Sequence, residues 1–403
     1  MSRLHVSARL YKILRMTKPA PIDSKAFAAA RRATRLTFFL SGMAMASWAP
    51  MVPFAKARLG LDDAQLGLVL LALGFGAMAA MPLAGFLAHR FGNRRVIGIG
   101  SLLVCVAMPM LTFAPTMVFL AVALLFFGAT LGVVDVAMNA HAVEVERLGT
   151  RPLMSGFHGL FSVGGLAGAA GMSALLQTGA PLFACAAAVA LLLAVIAVSQ
   201  WRHLLVQVHD EASAKHSIFV RPKPVVLLLG VLCFIVFLAE GSMLDWSAVF
   251  LRDIRGVDAS RAGIGYAAFS IAMATGRLLG DRITARVGPV AIVRSGGLLA
   301  ASGFLLATCV PWAPAALVGF MLVGLGASNI VPVLFSAAGA LPNTSPGITI
   351  ATVTTLGYAG VLAGPALIGF AAHATTLPLA IGGVAVLLIG VAACATIARR
   401  GAV

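Results

Sequence analysis

Residues 54–67 read FAKARLGLDDAQLG, and residues 250–263 read FLRDIRGVDASRAG. Both segments fit the pattern F-x5-G-x-D-x4-G, with an offset of 196 residues between them. Outward from these segments the same offset aligns Gly92 with Gly288, Pro115 with Pro311, and Gly128 with Gly324. One constant register over such a long stretch predicts that the chain consists of two homologous halves.

The composition decides what surrounds these halves. The chain has 403 residues, of which 60% are hydrophobic and only 10% charged, and its mean hydropathy is +1.00. This leaves too little polar surface for a water-soluble globule, so the solvent must be lipid. A membrane span needs about 20 apolar residues. Twelve such runs are predicted, at 34–55, 64–88, 96–113, 116–142, 152–178, 180–200, 224–250, 260–284, 290–310, 313–340, 347–373 and 377–398.

The predicted fold is therefore an all-α membrane protein with twelve transmembrane helices in two six-helix repeats. Because six is an even number, both repeats begin on the same side of the membrane and are parallel. The predicted organisation is a basic tail at 1–33, a first half at 34–200, a linker at 201–223 and a second half at 224–398. We expect a binding site between the halves.

The basic residues predict the orientation. The net charge is +16, but the bases are not interleaved with aromatic residues as on a nucleic-acid-binding surface. Instead, 23 Lys and Arg residues lie on the side of the amino terminus and five on the opposite side. The positive-inside rule then predicts that both termini are cytoplasmic. The tail is interpreted as a surface segment near anionic lipid, with an organelle transit peptide as the alternative.

Several classes of chemistry lack their motifs. There is no G-x4-G-K-[ST], H-E-x-x-H, C-x-x-C or G-x-S-x-G. Transport driven by ATP and catalysis by a membrane enzyme are therefore not expected, and neither a cofactor nor a metal is predicted. The five cysteines lie alone in different apolar segments, which indicates small buried residues.

Charged and polar residues inside the predicted spans are the candidate functional residues, because each is costly in hydrocarbon unless it is paired or hydrated. Asp135 and Asn139 lie one turn apart in the fourth span. Asp135 is either a protonatable gate or a structural partner of Asn139.

The seventh span contributes a second cluster of candidates. Glu240 lies in its middle, and Asp245 and Trp246 follow toward the outer end, beyond Gly241 and Ser242, which permit a helix break. Glu240 is expected to bind substrate or a proton and Asp245 to close an outer gate, while Trp246 is either a site residue or an interface anchor.

Further candidates are His158 in the fifth span, Asn329 in the tenth and Tyr358 in the eleventh. His158 either binds a polar solute or is a packing residue. Arg277 has Asp281 four residues later, which favours an intrahelical ion pair over anion binding.

The loop between the second and third spans carries a family signature. It reads GFLAHRFGNRR, in which Gly85, Arg90, Gly92, Arg94 and Arg95 fit the gating-loop motif of the major facilitator superfamily. His89 stands where that family usually has aspartate. A degenerate second copy, GRLLGDRITARVG at 276–288, contains Asp281 and Arg282. Its register is open, because matching Asp281–Arg282 to His89–Arg90 would require a four-residue insertion.

Residues 132–146, 154–171 and 240–251 resemble the YbjJ-type bacterial branch of this superfamily, which is similar to the fucose–proton symporters. The resemblance implies a multi-pass protein of the bacterial inner membrane. It also implies a working carboxylate in the fourth span, for which Asp135 is the match. The second carboxylate of those relatives has no counterpart, since 36–55 contains no Asp or Glu. A single-carboxylate scheme and transport without protons both remain open.

The sequence as a whole predicts a monomeric secondary transporter that moves a small polar or amphipathic solute by alternating access, coupled to protons. Its expected partners are that solute, protons and the lipid bilayer. The alternatives are an efflux antiporter for hydrophobic drugs or metabolites, and a membrane receptor or scaffold that does not transport.

Overall fold

The computed structural model describes residues 23–61, 63–206, 222–257, 264–342 and 344–401, and these residues are helical apart from short connections. The helices of the first half are α1 (Ser24–Ser47), α2 (Val52–Leu59), α3 (Asp63–Phe91), α4 (Asn93–Met110), α5 (Met117–Leu148), α6 (Met154–Gln177) and α7 (Leu182–Trp201). Those of the second half are α8 (Pro224–Val249), α9 (Ile264–Val287), α10 (Pro289–Cys309), α11 (Ala313–Ala327), α12 (Ile330–Gly339), α13 (Pro346–Ala374) and α14 (Leu377–Ala393).

These helices form the twelve predicted spans. Helix α2 is a short helix after the first span, and α11 and α12 together form the tenth span, which is interrupted at Ser328–Asn329. Among the described residues, ten segments are long and apolar enough to cross a bilayer by length and composition. The remaining two spans, α1 and α9, carry arginines. The predicted all-α fold with twelve spans is confirmed.

The first span differs from its prediction of 34–55. Helix α1 begins ten residues earlier, at Ser24, where the Asp23 side chain accepts a hydrogen bond from the Lys25 amide and caps the helix. The helix ends at Ser47, and Pro50 lies in the 3₁₀ turn that follows. The last ten residues of the predicted tail are thus helical, while residues 1–22 and 207–221 of the predicted tail and linker lie outside the described residues.

Helix packing follows the repeat. In the first half α1 packs on α6, α3 on α5, and α4 on α7; in the second half the equivalent pairs are α8 with α13, α9 with α11, and α10 with α14. We call the face of the bundle at which α1 begins the inner face and the opposite one the outer face. Both halves start at the inner face, as the parallel repeat predicts.

Glycines with positive φ mark equivalent turns in the two halves and fix the register of the repeat. Gly92 has φ 82° and caps α4, and Gly288 has φ 83° and caps α10. The offset of 196 residues therefore holds on both sides of these turns. The two copies of the motif align without the four-residue insertion considered above. In this register Asp281 corresponds to Gly85, not to His89.

The two halves meet mainly along two helix pairs, α3 with α13 and α6 with α9. In the first pair, Gly85 faces Gly347 and Ala351. In the second pair, Gly156 contacts Asp281, and Gly159 lies against Leu278. All of these residues lie in the inner parts of their helices, so the halves are in contact on the inner side of the bundle.

Close approach between α3 and α5 depends on Gly128, and the same contact recurs in the second half. The α-carbon of Gly128 faces the backbone carbonyl of Leu73, and that of Gly324 faces the carbonyl of Phe269. These residue pairs are related by the repeat offset. A side chain at either glycine would collide with backbone, which cannot move without separating the helices.

We expect the substitution Gly128→Ala to lower the Tm of the purified protein, since overpacking of this kind costs about 1–3 kcal/mol. The matched control is Gly171→Ala in α6, where an added Cβ would meet no atom within 4 Å. Both substitutions bring the same gain in helix propensity. The difference in Tm between the two variants therefore measures the effect of the collision at Gly128 alone. Equal Tm values for the two variants would contradict the close contact.

Candidate functional site

Several of the polar residues predicted inside the membrane converge on one region between the halves. Asp135 and His158 come from α5 and α6 of the first half, and Glu240 and Tyr358 come from α8 and α13 of the second. All four side chains are partly exposed, although the surrounding helices bury most of their neighbours. We call this region the central site.

A chain of hydrogen bonds runs from α5 to α6 in the first half. The Asn139 Nδ2 atom donates to the Asp135 backbone oxygen at 2.9 Å and lies 3.4 Å from the Asp135 Oδ1 atom. The Asn139 Oδ1 atom lies 3.2 Å from His158 Nε2, so the imidazole donates this bond in the tautomer that carries the proton on Nε2. The predicted contact between Asp135 and Asn139 is present, and it extends to His158.

Two aromatic rings contact His158 from opposite halves. The ring of Phe38, in α1, is 5.2 Å from the imidazole, and the ring of Phe335, in α12, is 5.9 Å from it, both in edge-on geometry. His158 therefore lies at the boundary between the halves with an apolar wall on each side. Such a setting suits a solute that has both polar and apolar parts.

Tyr358 brings the second half to the carboxyl group of Asp135. Its hydroxyl is close enough to Asp135 to interact with it directly, and its ring packs edge-on against Phe237 at 5.6 Å. The Asp135 carboxyl therefore has partners in both halves, Asn139 on its own helix and Tyr358 across the interface.

Arg277 pairs with Glu240, which corrects the predicted intrahelical pair with Asp281. The Arg277 Nη2 atom lies 3.2 Å from each Glu240 carboxylate oxygen, and the two side chains are only 10% and 18% exposed. Asp281 lies one turn nearer the inner face and contacts α6 instead. The four-residue spacing of Arg277 and Asp281 is compatible with a pair within one helix. It carries no information on the rotation of α8 relative to α9, which decides the actual partner.

Arg277 also contacts the first half. Its Nη1 atom donates to the Ser162 Oγ atom of α6 at 3.3 Å, and its Nε atom donates to the Ser328 backbone oxygen at 3.4 Å. Sequence reasoning did not include Ser162 among the site residues. The sequence around Ser162 gives little indication of a role in the site, because a serine within a glycine-rich helix is compatible with packing alone.

The remaining predicted site residues are distributed around this core. Asn329 is buried at the interruption of the tenth span, where its Nδ2 atom donates to the Gly276 backbone oxygen at 2.9 Å. Asp245 is exposed nearer the outer face, and Trp246 packs against α13 at Gly369. The helix break that Gly241 and Ser242 permit does not occur: α8 continues to Val249 and is followed by a π-helical turn at Phe250–Ile254.

The inner side of the interface is held by carboxylates at the start of α6. The Asp281 Oδ2 atom accepts a hydrogen bond from the Gly156 amide at 3.0 Å, which links the two halves. Glu146 accepts from the amides of Leu153 and Met154 at 2.6 and 2.9 Å. Negative charges at a helix N-terminus are favourable because the free amides and the helix dipole attract them.

The loop that resembles the superfamily motif lies next to this inner contact. Gly85 allows α3 to approach α13, and Gly92 forms the turn into α4. The arginines of the motif lie toward the surface, where Arg95 is exposed and Arg90 lies over the ring of Phe91 at 5.6 Å. Arg94 is half-buried, and Arg282 of the second copy is exposed. Over the described residues, no group of three or more His, Cys, Asp or Glu residues has the geometry of a metal site.

Comparison with known proteins adds sequence relatives over most of the chain. An uncharacterised MFS-type transporter of Yersinia pestis is 50% identical over 371 residues, which cover 91% of this chain and 95% of that protein. The membrane protein MosC of Rhizobium meliloti is 33% identical over 370 residues, covering 91% of this chain and 89% of the relative.

Solved structures share the fold at lower sequence identity. The Major Facilitator Superfamily transporter FucP, in the outward conformation, has a TM-score of 0.75 at 17% identity, and the match covers 93% of this chain and 99% of FucP. A human organic anion transporter has a TM-score of 0.71 at 16% identity, with 91% of this chain and 99% of its own covered. The family model described as Major Facilitator Superfamily matches residues 36–365. The chain therefore belongs to the major facilitator superfamily, a family of multi-pass membrane transporters.

Proposed function

We propose that this protein is a secondary transporter of the bacterial inner membrane that carries a small polar or amphipathic solute together with protons. The main support for this proposal is the set of contacts in the central site. There, Asp135 has partners in both halves, and a largely buried ion pair between Glu240 and Arg277 extends to Ser162 across the interface. Charged groups inside a membrane are costly even when they are paired, so their presence indicates a function.

The contacts between the halves support a mechanism of alternating access. Rocking of one half against the other would separate Arg277 from Ser162 and Tyr358 from Asp135, because each of these contacts joins the two halves. The partners of the Asp135 carboxyl would thus differ between the two arrangements. A carboxyl group whose environment changes with the motion takes up a proton in one arrangement and releases it in the other.

Glu240, Arg277, Asn139 and His158 are the proposed binding groups for the solute. They offer donors and acceptors on both sides of the interface, and Phe38 and Phe335 provide apolar surface beside them. This mixture favours a polar or amphipathic solute over the purely hydrophobic compound expected of a drug exporter. Asp245 and Trp246 are proposed to belong to the outer end of the pathway.

We expect the substitution Asp135→Asn to remove proton coupling. In proteoliposomes with an imposed pH gradient, solutes that raise the Tm of the purified protein should drive proton movement in the parent protein, whereas the variant should bind the solute without moving protons. The matched control is Asp253→Asn, which alters an exposed carboxylate paired with Arg252 on the outer side. Proton movement that persists in Asp135→Asn would refute the role of this residue.

Asp281 is proposed to hold the inner gate closed, together with Arg282 beside it in the second copy of the motif and with the motif loop around Gly85, Arg90, Gly92, Arg94 and Arg95. Its carboxylate bridges the halves through the amide of Gly156, a contact that must break for the inner side to open. In this role Asp281 contributes the charge that the first copy of the motif lacks, since His89 replaces the family's aspartate there.

Removing this charge should favour the arrangement that is open on the inner side. In a protein without native cysteines, a cysteine introduced at the buried Ser155 should react with N-ethylmaleimide several-fold faster when Asp281→Asn is also present. The substitution Asp253→Asn again provides the control, and it should leave the rate unchanged. An unchanged rate in Asp281→Asn would contradict the gate.

We also propose that the inner face of the bundle is cytoplasmic, on the basis of the excess of basic residues there. A cysteine at Pro311, between α10 and α11, should react with a membrane-impermeant maleimide in intact cells. A cysteine at Arg202 should react only after permeabilisation. Both positions are exposed, and native Cys309 should first be replaced by serine because it is exposed as well. The opposite labelling pattern would invert the topology.

A further inference from the structure

A cavity of about 270 Å³ lies between the two halves on the inner side of the bundle. The first half contributes residues from the end of α5 and the start of α6, and the second half contributes residues from α9, α10 and α12. We call it the inner cavity. The contacts of Arg277 and Leu278 with α6 lie nearer the bundle centre, so the inner cavity is distinct from the central site.

Two carboxylates from opposite halves line the inner cavity. Glu146 and Asp281 both use one oxygen to accept hydrogen bonds from the start of α6, and they are close enough to each other for their charges to repel. Arg35, in α1, is also near enough to attract Asp281. Arg147 also lines the cavity and is attracted to Glu144. A positive charge between the two carboxylates would relieve their repulsion.

Two oxygen atoms in the cavity wall have no hydrogen-bond partner among the described residues. They are the Asp281 Oδ1 atom and the Thr284 Oγ1 atom, which lie one turn apart on α9. Thr284 is only 6% exposed, so bulk solvent does not surround its hydroxyl. Buried polar atoms normally have partners, and two acceptors at this spacing suit a ligand that donates two hydrogen bonds.

The other walls are mostly apolar. They include Val143, Met154, Pro332, Val333, Ala337 and Ala340. Ser155 and Ser336 add two hydroxyls, but an inorganic cation requires a closed shell of oxygen ligands, and most of the remaining wall is apolar. An organic ammonium group needs only a few acceptors for its N–H bonds, and its carbon skeleton gains by contact with apolar side chains.

We propose that the inner cavity is a binding site for a small organic amine. The protonated nitrogen donates hydrogen bonds to Asp281 Oδ1 and Thr284 Oγ1, and the apolar body packs against the start of α6 and against α12. Because both halves line the cavity, the bound amine stabilises the arrangement in which the inner side is closed. The site is thus a regulatory site, reached from the inner face and separate from the solute site.

Thermal unfolding of the purified protein tests this proposal with benzylamine as the probe. Benzylamine should raise the Tm by about 2–4 °C as its concentration approaches saturation. Benzyl alcohol has nearly the same shape without the charge and should have no effect, and neither should KCl at matched ionic strength. Protection by KCl equal to that by benzylamine would overturn the proposal in favour of an inorganic cation.

Four variants test the location. Thr284→Val removes the hydroxyl at nearly constant volume and should weaken benzylamine binding about tenfold, while Thr284→Ser should restore it. Ala340→Leu fills the cavity and should abolish the effect without touching the charged groups. Asp135→Asn, in the central site, should leave the effect unchanged. The proposal fails if benzylamine gives no protection, or if Asp135→Asn abolishes a protection that Thr284→Val and Ala340→Leu retain.

Binding to the inner cavity does not depend on transport. Loss of proton coupling in Asp135→Asn together with persistent binding of benzylamine would support both proposals. Retained coupling in that variant with the same binding pattern would refute the role of Asp135 and leave the amine site standing.

Discussion

Hydrocarbon cannot hydrogen-bond to a polar group, and this constraint organises the whole molecule. Every backbone amide and carbonyl within the membrane needs a partner in the protein, which the long helices supply. Ionised side chains need partners as well, and the ion pair between Glu240 and Arg277 meets that need between the halves. The position of this pair follows from the fold, because the interface between two amphipathic half-bundles is the place where water can enter a structure otherwise surrounded by lipid.

The scaffold is symmetric, but its chemistry is not. Gly128 and Gly324 make equivalent close contacts, and Gly92 and Gly288 form equivalent turns. By contrast, the repeat offset sets Asp135 against Val331, Arg277 against Met81 and His158 against Thr354. Each half therefore contributes different groups to one central site. We infer that duplication supplied two similar rigid bodies, and that the charged residues were placed on this frame where motion between the bodies changes their surroundings.

Much of the fold could be predicted from the sequence, because hydrophobic length and a constant repeat register are properties of the chain itself. The parallel repeat also predicted that the candidate site lies between the halves. That this site binds the solute and protons remains a prediction. The sequence could not predict in the same way which charged side chains contact each other. The spacing of Arg277 and Asp281 suggested a pair within α9, but the rotation of the helices turns Arg277 toward Glu240 and Asp281 toward α6. The uninterrupted course of α8 past Gly241 and Ser242 likewise reflects packing against α13, since glycine and serine permit a break without requiring one.

The central claim is that the halves move as two bodies about the central site, so that one face closes as the other opens. Pulsed electron paramagnetic resonance measures this directly, with one pair of spin labels at Pro115 and Pro311 on the outer face and another at Arg95 and Arg286 on the inner face, all exposed positions. On acidification and on solute binding, the two distance distributions should shift in opposite directions, and Asp135→Asn should abolish the response to acidification. Distances that stay fixed, or that lengthen and shorten together at both faces, would contradict the account.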